Sequence, residues 1–109
     1  SRAVTQRLAA AFEAAGHDVV DARIGNASDH APFDAAGIPV GGIFTGADDR
    51  MSDDQAETTG GVAGEPYDSC YHRDCDTLDQ VVTPYVTERL ETIGDVAVVV
   101  VADLLESLR

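Results

Sequence analysis

The segment from Thr83 to Leu108 constrains this chain most. Thr83 is a residue type that caps helix N-termini. Pro84 suits the first helical position, where a missing N–H costs nothing. Val86, Leu90, Ile93, Ala97, Val100, Val101, Leu104 and Leu108 follow at the three-and-four spacing of a helix face. Within this helix Val96 to Ala102 is apolar at every position. A helix apolar all round has to be packed on more than one side. The run is also far shorter than the ~20 residues that cross a bilayer.

The rest of the chain must therefore supply elements to pack against it. Val4, Leu8, Ala11, Phe12 and Ala15 line one face of an N-terminal helix, and Gly16 fits its left-handed end. His17 to Ala22 reads as a short strand. A polar loop over Ile24 to Asp29 leads to a short helix, Ala31 to Ala36, stopped by Gly37. Ile38 to Thr45 is apolar and bounded by glycines, the pattern of a parallel strand covered on both faces. Gly41 and Gly42 inside it point to close approach of a helix or a ligand. Gly46 to Ser69 is rich in loop residues, with Ser52 placed to cap a helix over Asp53 to Thr58. Helix and strand alternate, which predicts an α/β fold in one domain over residues 1–109.

Charge narrows the function classes. Twenty acidic residues face seven basic ones, all Arg, for a net charge of −13. Such a chain repels phosphate backbones and anionic lipid surfaces, which excludes nucleic-acid and membrane partners. Asp48, Asp49, Asp53 and Asp54 do not make an EF-hand, because Asp53 stands where Gly is needed and Thr59 where Glu is needed. They read as a solvated face. Gly60, Gly61 and Gly64 do not form a phosphate-binding fingerprint. Ser28, Asp29 and His30 are adjacent, so they cannot converge as a hydrolytic triad.

Cys70-Tyr71-His72-Arg73-Asp74-Cys75 concentrates the remaining chemistry. On spacing alone three readings stand together: a disulfide closing the loop, a zinc knuckle through Cys70, His72 and Cys75, or two free thiols. Asp76 is placed to accept an imidazole N–H from His72, the usual support of a metal-bound His, or to cap a following turn. A surface His is the plain alternative for His72.

Two strings go beyond single motifs. Ser28-Asp29-His30-Ala31-Pro32-Phe33 runs on into Ala36-Gly37-Ile38-Pro39-Val40-Gly41-Gly42-Ile43-Phe44-Thr45-Gly46-Ala47. Gly60-Gly61-Val62-Ala63-Gly64-Glu65-Pro66-Tyr67-Asp68 is followed by Cys70-Tyr71-His72-Arg73-Asp74-Cys75-Asp76-Thr77-Leu78. In this order they resemble the C-terminal portion of the M28 family of zinc aminopeptidases, in particular its secreted Streptomyces-type members. The resemblance covers nearly the whole chain. It implies a three-layer α/β/α sandwich, of which this chain is a part, and a centre of two zinc ions. It implies an extracellular enzyme that hydrolyses the first peptide bond of peptides with a free N-terminus.

Residue by residue, His72 matches the last zinc ligand. Tyr71 matches the Tyr whose hydroxyl donates to the oxyanion of the tetrahedral intermediate. Cys70 and Cys75 match a disulfide that holds this loop. Phe44 matches a wall of a pocket for large apolar N-terminal side chains. The Ser28-Asp29-His30 string is then structural or braces a ligand from behind, and is not catalytic. The family's other zinc ligands and its general-base Glu match nothing here. The chain is therefore expected to be the C-terminal piece of an enzyme, inactive alone and prone to self-association through an exposed edge and apolar face. Ala27 replaces an Arg of the nearest relatives. A non-catalytic binding module on the same scaffold is the alternative reading. Thr87 and Glu91 replace the calcium-binding Asp pair of some members, so calcium is not expected.

Overall fold

The computed structural model describes residues 2–109. Among the described residues five helices follow one another: α1 (Arg2–Ala14), α2 (Ala31–Ala35), α3 (Asp53–Thr59), α4 (Leu78–Val81) and α5 (Pro84–Ser107). Among the described residues there is no strand. One isolated antiparallel bridge joins Arg50 and Pro66. This overturns the α/β expectation and with it the three-layer sandwich. The physical reason is that a strand is made by its neighbour. A parallel strand takes every backbone hydrogen bond from an adjacent chain segment, and no ladder forms along 17–22 or 38–45. Nor is the second of these covered on both faces, since Ile38 and Ile43 are both exposed.

The helices follow their local signals. Gly16 ends α1 at φ 84° and Gly37 follows α2 at φ 74°, both in the left-handed region that favours glycine. Ser52 caps α3 by accepting from the Gln55 N–H at 3.2 Å, while the Gln55 side chain accepts from the Ser52 N–H at 2.8 Å. Thr83 Oγ1 accepts from the Val86 N–H at 3.2 Å and opens α5 as expected. The single turn α4 has no counterpart in the periodicity.

The chain divides into two compact units. One holds the chain up to Ile43 together with Glu88–Arg109; the other is Phe44–Thr87.

In the first unit Phe12 of α1 and Val96 and Val100 of α5 form the buried core. Leu8, Ala11, Ile93 and Leu104 pack around them. An exposed ion pair, Arg7 Nη1 to Asp103 Oδ2 at 2.6 Å, links the same helices and adds little because both ends are solvated. Gly41 lies directly against α1: a Cβ there would sit 2.6 Å from Val4 Cγ1. The close approach read from Gly41-Gly42 is thus to a helix, and only at Gly41, because Gly42 faces open space. Val98, Val99, Val101 and Leu105 of α5 are all more than half exposed. The apolar run packs on one side only, contrary to expectation, because α1 presents a single apolar stripe and covers a single stripe of α5.

The second unit is built on two facing segments, 47–51 and 64–68. Gly64 and Glu65 meet Met51, Tyr67 meets Asp49, and Asp68 meets Ala47 through backbone hydrogen bonds of 2.7–3.1 Å. Arg50 adds a bond from its Nη1 to the Gly64 carbonyl at 2.6 Å. The helix α3 lies in the connection between them, and its Ala56 is buried, as is Met51 just before the helix.

Candidate functional site

The paired segments end at Asp68, and the loop holding the chemistry starts there. The Tyr67 ring lies over Gly46, whose φ of 103° and missing side chain make room for it. The Asp68 N–H donates to the Ala47 carbonyl at 2.7 Å. Its Oδ1 accepts from the Cys70 N–H at 2.9 Å, the Asx turn that an Asp forms two residues ahead. Beyond this point the chain leaves the packed part of the unit, and residues 71–80 are all exposed.

The loop is closed covalently. Cys70 and Cys75 form a disulfide with Cα atoms 5.3 Å apart, and no cysteine is free. Of the three readings left open by spacing, this selects the first, and it removes both thiols from any zinc knuckle.

Inside the ring, the Arg73 N–H donates to the Cys70 carbonyl at 2.9 Å, so Tyr71 and His72 are the two central residues of a turn. His72 has φ 57°. A left-handed backbone favours Gly and, among residues with a side chain, Asn, Asp and His; the Cβ there costs on the order of 1–2 kcal/mol. His72 is one of two non-glycine residues with a positive φ among the described residues, the other being Ala47 at 45°. The Tyr71 and His72 rings are neighbours, with centroids 4.0 Å apart and planes tilted by 43°.

Tyr71 and His72 are therefore brought together, both exposed. The Asp76 N–H is engaged by the Arg73 carbonyl at 3.0 Å, and among the described residues no hydrogen bond joins Asp76 to His72. Phe44 belongs to the same unit and is 42% exposed. His30 donates from Nε2 to the Gly25 carbonyl at 2.8 Å within the first unit, a local brace at the start of α2. What sequence reasoning missed is Asp68; its signal was an Asp two residues ahead of a loop-closing Cys.

The donor chemistry does not complete a metal centre. Among the described residues no three His, Cys, Asp or Glu side chains come together. Zinc sites take three or four protein ligands, so His72 alone does not hold the ion. Relieving the left-handed strain is measurable apart from any metal. His72→Gly should raise the stability of the chain by up to about 1 kcal/mol, read as a higher urea midpoint at unchanged slope.

Comparison with known proteins matches the model of peptidase family M28 to residues 1–98. A leupeptin-inactivating enzyme of Streptomyces exfoliatus is 54% identical over 54 residues, which cover 50% of this chain and 12% of that protein. A probable lipoprotein aminopeptidase of Mycobacterium tuberculosis is 41% identical over 81 residues, covering 74% of this chain and 16% of the relative. An aminopeptidase of Pseudomonas aeruginosa is 38% identical over 81 residues, with 74% and 15% covered. The matched part of this chain thus spans at most 16% of the length of these relatives.

Proposed function

This chain belongs to peptidase family M28, and on that premise we propose that it is the C-terminal part of a secreted, zinc-dependent aminopeptidase. The enzyme removes N-terminal residues, large apolar ones preferred, from peptides with a free amino terminus. The observation that carries this reading is the exposed Tyr71–His72 turn, held by a disulfide with His72 in a left-handed backbone.

In this reading the Tyr71 hydroxyl donates a hydrogen bond to the oxyanion that forms when the scissile carbonyl becomes tetrahedral. A donor fixed in advance stabilises that charge more than it stabilises the ground-state carbonyl. His72 offers an imidazole nitrogen as one metal ligand among several. The exposed Phe44 ring forms part of the wall that receives an apolar side chain. The remaining ligands and the general base come from the rest of the polypeptide, in line with the small share of the relatives that this chain spans.

An extracellular location is supported by the disulfide, which persists in oxidising compartments. Among the described residues no helix is long and apolar enough to cross a membrane. The net charge of −13 favours neither nucleic acid nor anionic lipid.

The purified chain, supplied with zinc, should not hydrolyse leucine p-nitroanilide, whereas the longer protein that contains it should. Turnover by the chain alone would show that the rest of the polypeptide is not needed. An inactive longer protein with its metal in place would favour a non-catalytic binding module on the M28 scaffold.

A further inference from the structure

We propose that Asp68 is the positioning residue of the Tyr71–His72 turn. This deepens the reading above and rests on it for the purpose of the turn, though not for its geometry.

Residues 71–80 are exposed throughout, so little packing holds the loop. Its shape must then come from its two ends and its own bonds. The disulfide ties Cys70 to Cys75 but makes no tie to the body of the unit. Asp68 supplies that tie. Its own N–H is anchored on the Ala47 carbonyl at 2.7 Å, the last rung of the paired segments. Its carboxylate reaches over Ser69 and takes the Cys70 N–H at 2.9 Å. Its carbonyl faces the Tyr71 N–H at 3.4 Å, a weak third tie. One half-buried residue thus joins the anchored body to the first two residues of the loop. The direction in which the chain enters the turn is set there, immediately before the residue that has to adopt φ 57°.

The bond to Cys70 needs an acceptor oxygen at this reach, not a charge. Asp68→Asn keeps an oxygen in place, while Asp68→Ala removes it. The test is made on the isotopically labelled chain with the disulfide intact, as checked by thiol titration. A positive φ places the amide proton close to its own Hα, so His72 should show a strong intraresidue NOE, together with NOEs between the Tyr71 and His72 rings. Asp68→Ala should weaken both several-fold, and Asp68→Asn should retain them. The signals of Phe12, Val96 and Val100 should not change in either variant. If the Ala variant does not fold, exchange of the Cys70 amide in the unaltered chain decides. It should be at least about tenfold slower than that of the Ser69 amide.

Retention of both NOE sets in Asp68→Ala, their loss in Asp68→Asn, or an unprotected Cys70 amide would overturn the assignment. Failure of the functional reading looks different: Tyr71→Phe would then leave turnover of the longer enzyme untouched, whatever Asp68 does to the turn.

Discussion

On the function proposed above, replacing Tyr71 by Phe should lower kcat of the longer enzyme by about 10²–10³-fold, with KM and bound zinc nearly unchanged. The size follows from the loss of one donor aimed at a developing oxyanion, worth about 2.7–4 kcal/mol of transition-state stabilisation. The split between kcat and KM follows from when the bond forms. A ground-state carbonyl carries little charge, so the hydroxyl contributes little to substrate binding and much to the transition state. Phe retains the ring and with it the 4.0 Å contact with His72, so the turn and His72 keep their places. Steady-state kinetics on a leucine anilide and metal analysis of the same preparation give the three numbers needed. A raised KM at unchanged kcat would make Tyr71 a binding residue. Loss of zinc would make it a support for His72.

How much of this was legible in the sequence depends on how far each signal reaches along the chain. Helix ends are set by residues three or four apart, so Ser52, Thr83, Gly16 and Gly37 could be read directly, and each stands where its chemistry requires. The apolar face of α1 was legible for the same reason. Ile38 to Thr45 was not. Its composition suits a buried strand, but a strand exists only where another segment presents its N–H and C=O groups, and that partner is remote information. The site divides in the same way. Cys70, Tyr71 and His72 are contiguous, and the resemblance named them together. The left-handed backbone of His72 was invisible, because no rule assigns φ 57° to a His. The role of Asp68 lay between the two. The Asx turn is local, but its value comes from the Ala47 rung, which is some twenty residues away.

Phe12→Ala should cost about 3–5 kcal/mol, the price of a large aromatic truncation in a core, and leave the first unit without a stable fold. Among the described residues only Phe12, Val96 and Val100 are buried there, none of them below 4% exposure, so no surplus of apolar area exists to absorb the cavity. Small domains have a net stability of about 5–15 kcal/mol, and one with so thin a core stands at the lower end. Val98, Val101 and Leu105 lie on the same helix and carry a comparable amount of apolar surface, but each is more than half exposed. Their replacement by Ala should change stability by no more than about 0.5 kcal/mol, the usual range for surface positions. Urea unfolding followed by circular dichroism at 222 nm separates the two faces of α5. Equal losses at Val101 and at Phe12 would mean that the outer face is covered in solution, and the packing described for α5 would then be incomplete. A loss confined to Phe12 would establish that the contact between α1 and α5 by itself holds this unit together.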